Sequence, residues 1–124
     1  MLVFVYGTLK RGYWNYDRFL TEAAFVGTGQ TSEHFRMRDV GFPMIFPSMI
    51  GMPVRGEVFD VDRDTLVELD RLEGEGRMYD RRLSLVTMDD GRTEMCMIYV
   101  GVRDYREGDP VASAEGVLTW SPSR

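Results

Sequence analysis

The chain has 124 residues, 44% hydrophobic and 28% charged, with a formal net charge of -5 at pH 7. That length predicts a single domain over residues 1–124, able to bury roughly two-thirds of its unfolded surface without a disulfide or metal staple. The acidic balance argues against a nucleic-acid partner, which needs a basic face, and the one cysteine, Cys96, excludes an internal disulfide and fits a reducing, cytoplasmic setting.

Residues 2–6 form a short apolar run rich in β-branched and aromatic side chains, ending at Gly7. The pattern predicts a buried strand. The run is too short for a signal h-region or a membrane span, and no basic stretch precedes it. Residues 7–12 follow as a loop bracketed by glycines, and residues 15–20 as a short helix. Residues 24–31 and 34–37 read as extended. Residues 41–53 hold Pro43, Pro47 and Pro53, a composition that favours irregular or edge structure. Residues 54–61 alternate as a strand. Asp62 is then a predicted N-cap, Leu66, Leu69 and Leu72 form one apolar helical stripe, and Gly74 sits where a helix-terminating glycine belongs. Residues 79–88 read as a strand, with Leu83 and Leu85 on one face and Val86 and Met88 on the other. Asp90-Gly91 predicts a hairpin, and residues 92–100 return as its partner. Beyond Gly101 the chain is polar and turn-rich until residues 117–120. Strands, hairpins and one firm helix predict an α+β domain.

Two markers carry chemistry. Tyr6-Gly7-Thr8-Leu9 follows the first strand directly. A strand ending in a glycine turn can aim consecutive backbone N–H groups into one concavity, as a site for a carboxylate or a developing oxyanion. Taken alone, the same four residues also describe an ordinary turn. The second marker is Leu69-Asp70-Arg71-Leu72-Glu73-Gly74 followed by Tyr79-Asp80-Arg81. Glu73 stands at the end of the amphipathic helix beside Leu72, at the rim of the core. There the negative end of the helix dipole and partial burial both raise a carboxyl pKa. Taken alone, it also describes a solvated helix-end glutamate.

Together the two markers resemble the γ-glutamylcyclotransferase-like family, most closely its γ-glutamylamine cyclotransferase branch. The likeness runs through Val3 to Gly12, Phe42-Pro43-Met44-Ile45, and Gly56 to Asp62, and is strongest from Leu69 to Arg81. The tail, with Gly116 and Trp120, departs from the family's usual ending. The resemblance implies a small mixed β-barrel with short helices packed outside. It implies that a γ-glutamyl amine is cyclised to 5-oxoproline with release of a free amine. It assigns Glu73 as the general acid–base, and Tyr6, Gly7, Thr8 and Leu9 as the loop that holds the γ-glutamyl group. Tyr79 becomes a pocket-wall residue and Arg81 a structural ion-pair partner. The implied partner is a small γ-glutamyl molecule, with no nucleic acid, membrane or cofactor.

Other residues read differently. Lys10 and Arg11 fit an exposed basic turn, with added positive potential at the mouth as the alternative. Glu57 inside a strand suggests a cross-strand ion pair. Glu75 lies in a solvated glycine turn. His34 has no nucleophile motif beside it and cannot form a zinc site with Cys96 alone. Cys96, between two methionines, reads as a buried inert thiol. The glycines near residues 7–12 match neither a phosphate-binding loop nor a dinucleotide fingerprint. A module that binds γ-glutamyl or pyroglutamyl groups without turnover is the alternative to an enzyme, and an enzyme of this fold acting on another acylated amine is a third reading.

Overall fold

The elements run β1 (Leu2–Val5), α1 (Tyr16–Phe19), β2 (Ala24–Thr31), β3 (Phe35–Asp39), β4 (Pro43–Pro47), β5 (Arg55–Asp60), α2 (Arg63–Glu73), β6 (Tyr79–Met88), β7 (Thr93–Gly101) and β8 (Asp109–Pro110). These are the elements of a computed structural model whose described residues are 1–102 and 108–122. Five strands close into a barrel in the order β1-β5-β2-β6-β7. The barrel is mixed: β1 runs antiparallel to β5 and parallel to β7, where Val3 pairs with Met97. A second sheet, ordered β4-β3-β8, packs beside it.

The continuous apolar run of β1 is explained by burial on both faces. Strand side chains alternate. Phe4 joins Tyr6, Val58, Val86, Cys96, Ile98 and Trp120 in one core cluster, the barrel interior. Val3 and Val5 point the other way, into a second cluster with Phe59 of β5, Leu20 at the end of α1, and Leu66 and Leu69 of α2. Cys96 is buried within the first cluster, and burial pushes its thiol up to about 11.

Helix α2 begins where Asp62 accepts a hydrogen bond from Thr65 N at 2.7 Å. It ends in a paired reversal: Gly74 N donates to Arg71 O at 3.2 Å and Glu75 N donates to Asp70 O at 2.9 Å. Gly74 has φ 60, the left-handed region in which a side chain costs about 1 kcal/mol or more. Glu73 is therefore the last residue before a fixed reversal of the chain.

Residues 41–53 contain a strand, and β4 is indeed an edge of its sheet. Its Met44 and Ile45 are nonetheless fully buried, because the barrel covers them. The strand β8 was invisible in sequence: it has two residues, and the pairing is supplied by Arg38 and Asp39 of β3. Leu83 and Leu85 face solvent, opposite buried Val86 and Met88. In the hairpin only Gly91 takes positive φ, while the Asp90 carboxylate accepts from Arg92 N at 3.0 Å. The tail is part of the core: Leu118 bridges to Val54, and Trp120 is 1% exposed. No helix among the described residues is long and apolar enough to cross a membrane.

Candidate active site

The end of β1, the end of α2 and the start of β4 meet around a cavity of about 280 Å³, close to the lower end of small-molecule sites, roughly 300 Å³. Tyr6, Gly7, Thr8, Leu9, Glu73 and Tyr79 all line it. The two sequence markers, far apart along the chain, thus face one space.

The loop after β1 is shaped by its carbonyls. Gly7 O accepts from Lys10 N at 3.0 Å, and Thr8 O accepts from Asn15 N at 3.1 Å. Asn15 Nδ2 donates to Thr8 Oγ1 at 2.9 Å, fixing that side chain too. Among the described residues the N–H groups of Gly7, Thr8 and Leu9 have no protein acceptor. Three donors left over beside a cavity are a set that an anionic oxygen can use. Gly7 is required by packing: a Cβ there would lie 2.6 Å from Pro43 Cγ. Gly7→Ala is therefore expected to push β4 from the loop and cost about 1–3 kcal/mol, read as a lowered midpoint in urea unfolding with the slope unchanged.

Glu73 is the one ionisable carboxyl lining the cavity among the described residues. Burial raises its pKa from 4.5 to about 7. The sequence pointed in that direction and stressed the helix end, whereas the cause in the structure is desolvation. Tyrosines surround it. Tyr6 Oη donates to Tyr99 O at 2.6 Å, and Tyr79 Oη donates to Pro43 O at 2.7 Å. Tyr99 Oη donates to Asp70 Oδ1 at 2.7 Å. Burial raises the pKa of Tyr6, and the nearby Tyr79 and Glu73 add to it. Tyr99 is raised by burial first, then by its bond to Asp70 and by the charges of Asp70 and Glu73. Asp70, one helical turn from Glu73, is paired with Arg81 Nε at 3.1 Å. Arg81 thus balances the second carboxylate of this region, the ion-pair role expected for it.

Three expectations need correction. Lys10 is not an exposed basic turn residue: it is 8% exposed, and its Nζ donates to Trp120 O at 2.7 Å. Its charge is committed to the tail, and burial lowers its pKa. Leu72 leaves the helical stripe: Leu66 and Leu69 are buried while Leu72 is 37% exposed at the cavity rim. Glu57 does form an ion pair, but with Arg11 of the loop rather than across strands. His34 is exposed. Sequence reasoning missed Tyr99, Trp14 and Phe42 as cavity residues. Tyr99 had a signal, a hydroxyl inside the apolar run from Met95 to Val100, where a buried hydroxyl must find a partner. Trp14 and Phe42 sit in irregular segments with no periodicity to place them.

Residues 3–120 match the family described as gamma-glutamyl cyclotransferase, AIG2-like. A mouse gamma-glutamylaminecyclotransferase is 35% identical over 113 residues, covering 78% of this chain and 75% of its own. A protein of Methanocaldococcus jannaschii, provisionally named a gamma-glutamylcyclotransferase, is 33% identical over 114 residues, 85% of this chain and 95% of its own. The crystal structure of a mouse aig2-like protein superposes with a TM-score of 0.73 at 30% identity, covering 98% of this chain and 95% of that one.

Proposed function

Since this chain belongs to the gamma-glutamyl cyclotransferase, AIG2-like family, we propose that it cyclises a γ-glutamyl amine to 5-oxoproline and a free amine, with Glu73 as general acid–base and the residue 7–9 loop as oxyanion site. The observation that carries this reading is a carboxyl held near neutral pKa in the same cavity as three uncommitted backbone donors. The name of the mouse relative, a gamma-glutamylaminecyclotransferase, supports the amine class.

The chemistry follows from proton accounting. The α-ammonium of the substrate, with an ordinary pKa near ~8, is not a nucleophile until it loses a proton. Glu73 as carboxylate accepts that proton. The amine lone pair then attacks the γ-carbonyl carbon, a new C–N bond forms, and the carbonyl electron pair moves onto oxygen. The N–H groups of Gly7, Thr8 and Leu9 stabilise that oxyanion. As the oxyanion collapses, the bond to the leaving nitrogen breaks. Glu73 supplies its proton to that nitrogen, and the carboxylate then takes the second proton from the ring nitrogen and passes it to the departing amine, which leaves as the ammonium and restores the base form. The product is a lactam, and water enters no step. Holding amine and carbonyl at attacking distance contributes about 7–11 kcal/mol in well-oriented systems. A carboxyl near 7 serves both directions of transfer, where one near its ordinary 4.5 would be a poor base.

The base form is required first, so activity carries an acid limb. Log kcat/KM is expected to rise with unit slope below about pH 7, where Glu73 titrates in the free enzyme, and to level above it until other groups titrate. A limb centred near 4.5 would show that burial does not tune this group.

The deciding test is release of 5-oxoproline from γ-glutamyl amides by the purified protein. Release supports the enzyme. Binding of 5-oxoproline without any release by folded protein would instead make this a binding module.

A further inference from the structure

Turns that face solvent are ordinarily built from Gly, Pro, Asn, Asp and Ser. The turn after β4 is not: its two central residues are Met49 and Ile50, 99% and 96% exposed. The turn is fixed from beneath. Gly51 N donates to Ser48 O at 3.1 Å, Ser48 N donates to His34 O at 3.1 Å, and Met52 and Phe35 exchange both backbone bonds at 2.8 Å. Gly51 lies so close to β3 that a Cβ on it would meet Phe35 O at 2.1 Å. Two apolar side chains are thus held out into water on a stapled backbone, where they add nothing to the core.

A flat apolar face lies beside the turn. Leu83, 63% exposed, and Met95, 53% exposed, stand on the outer side of the β6–β7 hairpin. The register there pairs Leu83 with Met97 and Leu85 with Met95. One short segment separates face from turn: Ser32 N donates to Leu85 O at 2.9 Å, and His34 accepts from Ser48. Turn and face together expose on the order of 700 Å² of apolar surface, above the roughly 300–600 Å² of the largest patch on a typical monomer and near the ~800 Å² that each partner buries in a standard interface.

The patch fits a second copy of this chain. In a twofold pair the same patch meets itself, so it must be self-complementary in shape and free of unbalanced charge. Here a projecting turn stands next to a flat receptive face, and a half-turn rotation seats each turn on the other copy's face. The charges beside it are balanced within the chain: Arg82 pairs with Glu33, and Arg92 with Glu94. Over the rest of the surface the net charge of -5 makes copies repel, and it disfavours an anionic membrane. Met49, Ile50, Leu83 and Met95 are not among the residues lining the cavity that holds Glu73, so pairing through them covers none of its lining.

We propose that this patch is the interface of a symmetric homodimer, with Met49 and Ile50 of each copy packed on Leu83 and Met95 of the other. The proposal is independent of the cyclotransferase reading and holds whether or not the chain turns over substrate.

Sedimentation velocity of the full chain over about 0.5–500 µM tests it, with a monomer–dimer equilibrium of Kd on the order of 1–100 µM as the expected result. Because apolar burial drives the pairing, salt at about 1 M should not weaken it. Ile50→Glu and Leu83→Glu are each expected to raise Kd at least about tenfold, since every substitution occurs twice across the axis. Both positions are exposed, so urea midpoints at submicromolar protein, where the single chain is read, should match wild type. A wild-type chain that stays monomeric over the whole range overturns the proposal. If that monomer floats with vesicles of neutral phosphatidylcholine, the turn belongs to a lipid surface instead. A dimer left intact by both variants also overturns it, because the contact then lies elsewhere.

Discussion

Glu73→Gln is expected to lower kcat for 5-oxoproline release by about 100- to 10,000-fold, the range for loss of a positioned general acid–base, with KM changed only a few-fold. Glutamine keeps the shape and the hydrogen-bonding capacity of the side chain but can neither accept nor return the proton. The same substitution is expected to stabilise the fold. The native carboxyl titrates at about 7 rather than its ordinary 4.5 because burial disfavours the charge. The folded chain therefore holds that proton more tightly than the unfolded one, and stability falls as pH rises from about 4.5 to about 7. Above pH 7 the full cost is present, on the order of 3 kcal/mol, because each tenfold gain in proton affinity is worth ~1.4 kcal/mol. Below pH 4.5 both states are protonated and the cost is gone. Urea unfolding of wild type and Glu73→Gln should thus converge near about pH 4 and separate near about pH 8, with the inactive variant the more stable. Equal stability on the alkaline side together with full loss of turnover would mean that Glu73 acts without being desolvated.

Trp120→Ala is expected to cost about 3–5 kcal/mol, the range for removing a buried large aromatic. Trp120 is the largest fully buried side chain and belongs to the interior cluster with Phe4 and Tyr6. Its ring is also met edge-on by Tyr13 at 5.7 Å as well as by Trp14. The cavity left behind therefore opens beneath the loop that leads from the site to α1. Leu85→Ala serves as the comparison: Leu85 is 40% exposed on the outer face of β6, and its loss should stay within about 0.5 kcal/mol. A Trp120 variant as stable as Leu85→Ala would show that the tail does not fill the barrel.

The ladder of strands was legible because alternation and turn chemistry are local. Residues 24–31 and 79–88 carry the bounds of β2 and β6 unchanged, and Asp62 and Gly74 mark α2 by capping groups that any helix end must satisfy. The barrel itself was not legible from periodicity. Closure depends on β1 lying parallel to β7, a pairing of distant segments that leaves no local mark, and it was reached only through resemblance. The site divides in the same way. Glu73 and the residue 7–9 loop could be singled out because each sits at an element end, but alone each also described a solvated glutamate or an ordinary turn, and their proposed roles came only through resemblance. Trp14 and Phe42 lie in irregular segments, and Lys10 was misread because its partner, Trp120 O, is a backbone atom 110 positions away. Backbone acceptors have no sequence signature.

That last contact has a consequence for the order in which the protein becomes competent during synthesis. The loop proposed to stabilise the oxyanion is made well before its anchor, which lies 110 positions further along the chain. Lys10, which closes that loop on Gly7 O, is anchored to the carbonyl of Trp120, and the indole of the same residue backs Tyr13 and Trp14. A growing chain can form α2 and the β6–β7 hairpin from neighbouring residues, but it cannot set this loop before residue 120 has left the ribosome. A nascent chain stalled short of that residue would carry Glu73 and every marker read from the sequence, and would still lack the support that orients its donors.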